Sequence, residues 1–169
     1  MADYVLQRRF WLPRPRPEVF AFFADPKNLE RVTPPAEKFH WIAPPPPTLS
    51  AGAIIDFGSR IGPITVRWRV FVREFDPPYR FFDAQLWGPF ARWEHRHNFV
   101  AEVGARGVAG TWIEDRVTYR LPFGAVGRLA HRFGARRRIG TLFDYRESRL
   151  RDLLGEAPPG AAGERRPPG

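Results

Sequence analysis

No cysteine occurs in the 169 residues, which excludes disulfides, thiolate metal sites and a cysteine nucleophile. No apolar run approaches the roughly 18 residues needed to span a bilayer. The stretch from Met1 to Phe10 carries Asp3, Arg8 and Arg9 where an apolar leader core would stand, so a cytoplasmic protein is the expectation. Lysine is nearly absent, since of 27 basic residues only Lys27 and Lys38 are lysine. Also missing are a glycine-rich phosphate loop leading from a strand into a helix and a serine in a nucleophile elbow. Nucleotide-dependent chemistry and acyl-serine hydrolysis are therefore disfavoured.

What is present is a large apolar and aromatic share, 43% and 15%, concentrated in strand-like runs such as Trp68 to Phe75 and Phe81 to Phe90. The length suits one domain with a real core, expected over residues 1–155. Glu156 to Gly169 is proline, glycine, alanine and charge with nothing to bury, and is expected to be a disordered tail. The net charge of +9 is spread over the chain, with Arg67, Arg69 and Arg73 alternating along one strand and Arg136, Arg137 and Arg138 grouped on a helix. These read as solvated faces, without specific nucleic-acid binding. An anionic membrane surface, touched transiently, is the partner they would suit.

Along the chain, Tyr4 to Leu12 reads as a first strand, stopped by Pro13, Pro15 and Pro17. A helix follows, with Val19, Phe20, Phe22 and Phe23 on its apolar face and Asp25-Pro26 at its end. Pro26 to Val32 predicts a second short helix and Phe39 to Ala43 a short strand, after which Pro44 to Pro47 forms a stiff connector. Extended segments are expected at Ala53 to Ile61, Ile64 to Phe75, Tyr79 to Trp87, Arg92 to Val103 and Val108 to Leu121, separated by glycine and proline turns. After Pro122 the period changes. Val126, Leu129, Ala130, Phe133, Ile139, Leu142, Phe143, Leu150 and Leu153 suit one long amphipathic helix. Gly134 and Gly140 weaken it by roughly 1 kcal/mol each, which suggests that a small residue is needed there for close packing or for space beside a ligand. Seven antiparallel strands and a long terminal helix bury their faces most simply if the sheet curls around the helix, leaving a concavity that suits a ligand. The Pro-rich connector and the short helices would border its mouth.

The last three strands carry the candidate site. If both connecting turns are tight, opposed residue numbers sum to about 180 across the first and about 212 across the second. His97 then lies between Asp83 and Asp115, Gln85 opposes His95, and Trp93 sits between Trp87 and Tyr119, all on the inward face. A buried unpaired polar group costs on the order of 1 to 3 kcal/mol. This belt must therefore be internally paired, face water in a cavity, or both. Flanked by carboxylates, His97 is a candidate general base, with Asp115 and Asp83 orienting it. The alternative is a satisfied polar network that stiffens the sheet. His95 and His97 with Asp83 or Asp115 fall short of a metal set, because no third histidine lies nearby, so neither metal nor cofactor is expected. On the terminal helix, Phe143 and Gly140 are expected to reach the pocket, whereas Tyr145 and Arg146 face either its mouth or solvent.

The run Phe22-Phe23-Ala24-Asp25-Pro26-Lys27-Asn28-Leu29, the run Phe82 to Phe90, the Trp93/His95/His97/Phe99 alternation and Tyr119 to Gly124 resemble a bacterial subgroup of the SRPBCC superfamily. That superfamily comprises START lipid-transfer domains, the birch-pollen-allergen fold and polyketide cyclase-like proteins. The order of elements is similar from Tyr4 to Leu154. The resemblance implies an α+β helix-grip fold, a seven-stranded curved antiparallel sheet around a long C-terminal helix with two short helices after the first strand. It also implies a pocket for a hydrophobic small molecule under that helix. On this reading Trp68, Gln85, Trp87, Trp93, His95, His97, Tyr119 and Phe143 line the ligand site. A cyclase or dehydratase-type enzyme is the alternative, with His97 removing a proton alpha to a carbonyl and Tyr119 or His95 stabilising the enolate.

Overall fold

The computed structural model describes residues 2–104 and 107–155; the expected tail at 156–169 lies outside them. Seven strands form one antiparallel sheet: β1 (Tyr4–Leu12), β2 (His40–Trp41), β3 (Ile54–Ile61), β4 (Ile64–Asp76), β5 (Arg80–Trp87), β6 (Arg92–Val103) and β7 (Ala109–Arg120). The spatial order is β1-β7-β6-β5-β4-β3-β2, so the first strand returns to pair with the last. Two short helices follow β1, α1 (Arg16–Ala24) and α2 (Asn28–Arg31). The chain from Gly124 to Leu154 is helical throughout, as α3 (Gly124–Ala130), a π-turn over His131–Ala135 and α4 (Arg136–Leu154).

The sheet is curved by two register shifts in the β4–β5 ladder, between Arg69 and Val70 and between Val72 and Glu74; such bulges bend a strand and increase its twist. The terminal helix crosses the concave side, anchored to β1 and the turn after it along α4. Arg8 Nη2 donates to Asp144 Oδ1 at 2.9 Å and Arg14 Nε to the Leu154 carbonyl at 3.2 Å. Its apolar stripe buries Ile139, Phe143 and Leu150. At the far end of the concavity α1 closes the core: Phe20 packs on Phe75, Phe81 and Phe99 with ring centroids 5.3, 6.2 and 5.3 Å away.

The convex face explains the arginines. Asp56 accepts a bidentate contact from Arg69 at 2.9 and 2.8 Å, with Arg67 at 3.6 Å, and Arg73 approaches Glu94 at 3.6 Å. The guanidiniums of Arg96 and Arg73 lie 4.1 and 5.5 Å from the Phe82 ring centroid. Long arginine stems thus cover an aromatic that points away from the core.

Two expectations are corrected here. The β6–β7 register is as counted, with His97 opposite Asp115 and Trp93 opposite Tyr119. Between β5 and β6, however, opposed numbers differ from the count by two residues: Asp83 faces His95, and Phe81 faces His97. The ladder stops at Ala84 and Glu94, because the Gln85 side chain folds into the connection, donating to the Phe90 carbonyl at 2.7 Å. A slip of two preserves the face while changing the partner. Gly134 and Gly140 also do something other than expected. A side chain at Gly134 would meet nothing within 4 Å, and one at Gly140 would reach only the Arg8 guanidinium, so neither marks a tight packing point.

Candidate functional site

Between the concave sheet and the helix lies a hollow of about 630 Å³, within the range of small-molecule sites. Phe22, Phe23, Leu29 and Val32 close it from the short helices, Ile55, Phe57, Trp68 and Val70 from β3 and β4, and Ile139, Leu142 and Phe143 from α4. Aromatic edges and faces organise one wall, where Trp68 stacks on Phe57 at 5.8 Å and meets Trp93 edge-on at 5.6 Å. The Trp68 indole N–H is satisfied by Ser59 Oγ at 3.0 Å. At one end the lining includes Ile64, Phe123 and Val126, which are largely exposed, so the hollow reaches the surface there.

The polar belt sits on the floor of this hollow. His95, His97 and Asp115 are buried, and one oxygen, Asp115 Oδ1, is 3.1 Å from His95 Nε2 and 2.7 Å from His97 Nδ1. The His97 contact is short but poorly aligned for N–H donation, so it acts as a charge contact. His97 Nε2 faces Asp83 Oδ2 at 3.4 Å. The two imidazoles lie 3.7 Å apart, and His97 also stacks on Phe81 at 4.1 Å.

Burial disfavours a charge on His97, yet Asp115 and Asp83 outweigh it and raise its pKa. His95 moves the other way, lowered by burial and by the neighbouring His97 charge. Burial opposes ionisation of Asp115, but the two histidines hold it far below the usual carboxylate range. Asp115 thus favours the charged form of His97, while burial and the His97 charge favour the neutral form of His95. Both His97 nitrogens face carboxylates, so the ring is arranged to hold a proton, whereas the general-base role needs a free nitrogen aimed at a ligand. Asp83, His95 and His97 offer ligating atoms within 4.8 Å of one another. A cation at these atoms would compete with a proton on His97, both of whose nitrogens face carboxylates.

Of the residues expected to contact a ligand, Trp68, Trp93, His95, His97 and Phe143 line the hollow, with Asp83 beside them. Gln85, Trp87 and Tyr119 do not. Gln85 is spent on the Phe90 backbone. Trp87 pairs with Arg69 at the bulge that interrupts alternation and is 59% exposed, and Phe90 takes its expected place beside Trp93 at 4.7 Å. The Tyr119 hydroxyl is 2.9 Å from His131 Nε2, whose ring stacks on Tyr4 at 3.4 Å, so it is directed at the π-turn. Gly140 and the Pro44 to Pro47 connector are likewise absent from the lining. Sequence reading passed over Phe57, Ile139 and Leu142 as site residues and left Arg146 open. Arg146 lines the hollow, and the signal was its position between Phe143 and Leu150 on the buried stripe of α4.

No family model and no curated protein matches the sequence. Solved structures do. TTHA0849 from Thermus thermophilus aligns with a TM-score of 0.66 at 20% identity, over 89% of this chain and 99% of that one. A START superfamily protein from Mycobacterium smegmatis gives 0.64 at 14% identity, over 89% and 99%. Ara h 8.0201 gives 0.57 at 14% identity, over 88% and 99%. At such identities the likeness concerns architecture: this is a START-like helix-grip fold. No helix among the described residues is long and apolar enough to cross a membrane.

Proposed function

We propose that the protein binds a mostly apolar small molecule, a lipid, a polyketide-like compound or an aromatic, in the hollow between sheet and terminal helix. The observation that carries this reading is the hollow itself: about 630 Å³ lined mainly by aromatic and aliphatic side chains, with Asp83, His95 and His97 forming a polar belt on its floor. A folded core of this size would ordinarily be filled, and an apolar space with a few placed polar groups is what ligand pockets have in common. The belt would read the polar end of the ligand and the wall of Trp68, Phe57 and Trp93 its apolar body.

The rim supports transient contact with an anionic membrane surface. Phe123, Val126, Leu129 and Phe133 are exposed, at 82% and 77% for the two phenylalanines, and Arg128, Arg132, Arg136 and Arg137 accompany them along the same helical stretch. Apolar groups beside cations suit a headgroup boundary. In this reading the protein works in the cytoplasm and collects its ligand at the membrane.

Native mass spectrometry after gentle purification, with N-phenylnaphthylamine fluorescence as a second readout, tests the binding. The expected result is a co-purified hydrophobe or a saturable fluorescence rise, abolished by Leu142→Trp, which fills the hollow. A wild-type protein that neither carries a hydrophobe nor takes up the dye would sink the reading.

A further inference from the structure

Many arginines of this chain have an acidic partner, such as Arg8 with Asp144, Arg69 with Asp56, Arg92 with Asp3 and Arg138 with Glu37. Arg146 has none. Among the described residues its side chain makes no hydrogen bond and no ion pair, and its Nε, like that of Arg16, is buried without an acceptor, but of these two only Arg146 lines the hollow. Its guanidinium carbon lies 5.2 Å from the Phe143 ring centroid. The side chain lines the hollow from α4, half-buried, with its Nε fully covered.

A guanidinium is a planar fork of donors with no acceptor, so it can be satisfied only by oxygen atoms that accept, best of all two at once. The belt cannot supply them. Asp115 Oδ1 already serves both histidines, Asp83 faces His97, and neither carboxylate comes within ion-pair distance of Arg146, although both act on it electrostatically. The belt's charged groups therefore face one another, whereas the Arg146 Nε has no acceptor, and an unpaired buried charge is costly to keep.

We infer that Arg146 is the head-group receptor of the hollow, and that the ligand is an amphipathic molecule whose head accepts hydrogen bonds through oxygen, a carboxylate above all. This inference rests on the binding reading proposed above and adds the class of ligand. A carboxylate would be held at this fork by bidentate, charge-assisted hydrogen bonds to the guanidinium. An alcohol gains a weaker version of the same contact. An ammonium head gains nothing at Arg146 and would have to turn to Asp83.

Competition of decanoate, decanol and decylamine against N-phenylnaphthylamine in the full chain tests this, because the three share a tail and differ in the head. The expected order is acid, alcohol, amine, with decanoate displacing the dye at a concentration lower than decanol by about tenfold or more, the worth of one charged hydrogen bond. Arg146→Gln should bring decanoate level with decanol when each displacement is referred to that variant's own dye affinity, whereas the exposed Arg137→Gln leaves the order intact. Equal displacement by acid and alcohol in the wild type, or the amine displacing best, would overturn the inference, and the wild-type comparison decides this even if Arg146→Gln fails to fold. Arg146→Lys keeps the charge without the fork and should keep only part of the acid preference. Dye binding without head-group preference would remove this inference alone, whereas a wild type that binds no dye would remove the binding reading with it.

Discussion

His97 Nδ1 lies 2.7 Å from Asp115 Oδ1, the same oxygen that His95 Nε2 approaches to 3.1 Å. A single buried carboxylate thereby favours the charge on one imidazole, while burial and that charge favour the neutral form of its neighbour. The polar belt is satisfied mainly by its own members, which lets it lie on the floor of an otherwise apolar space.

Removing the shared carboxylate should be severe. Asp115→Asn is expected to lower stability by about 3–5 kcal/mol near pH 7, the cost of leaving a buried partner uncompensated, as read by urea unfolding. Asp115 is held below its ordinary range, so its contribution is complete above about pH 4 and is lost as the pH falls below that. The gap between wild type and variant should therefore narrow in acid. A gap that stays constant from about pH 6 to about pH 3 would contradict this assignment.

The two histidines should titrate apart. The His97 pKa is raised, so the stability it confers is fully present below the unfolded value of about 6.5 and is lost as pH rises through the folded value. His95 is lowered, so its contribution is present above about 6.5 and is lost as pH falls through its folded value. Nitrogen NMR of the imidazoles at about pH 6.5 should show His97 mainly charged and His95 mainly neutral. Asp83→Asn should weaken the proton hold on His97, yet cost less than about 1 kcal/mol in stability, because Asp83 is half-buried and its contact is 3.4 Å.

Tyr119 holds the π-turn. Tyr119→Phe removes the hydroxyl contact to His131 and should cost about 1 kcal/mol. Amide exchange over residues 131–135 should speed up, and affinity for N-phenylnaphthylamine should be nearly unchanged, since Tyr119 is not part of the lining. Lost dye affinity at unchanged exchange would assign the hydroxyl to the ligand.

At the rim, Leu129→Ser with Phe133→Ser should weaken sedimentation with vesicles rich in phosphatidylserine, and raising the salt concentration should weaken it further by screening the accompanying arginines. Because both side chains are exposed, the melting temperature should hold. Vesicle binding that is indifferent to both changes would exclude this rim as the contact.

Much of the architecture was legible because it depends on local pattern. Alternation marked β1 and β6 to the residue, Pro17 and Asp25-Pro26 bracketed α1, and the short connection at Gly104 and Gly107 set the β6–β7 register that brings His97 to Asp115. The β5–β6 partner was misjudged because counting treats a turn as backbone alone, whereas the Gln85 side chain occupies the connection. Trp87 was misplaced for a related reason, since the bulge opposite Arg69 breaks the period of two.

Periodicity alone determined which faces of the strands turn inward and, for Ile139, Phe143 and Leu150, which face of the terminal helix does, because the pleat and the helical repeat follow from the backbone and hold wherever the ladder is regular. Val126, Leu129 and Phe133, expected on the same inward stripe, stand exposed, since the π-turn at His131–Ala135 interrupts the helical repeat. Tertiary structure decided what that inward face contains: which carboxylate meets which imidazole, that Tyr119 is spent on His131, and that Arg146 lines the hollow without an acidic partner among the described residues. Those outcomes depend on how far the curved sheet stands from the helix and on which acceptors are already engaged, and no spacing within a single segment encodes either.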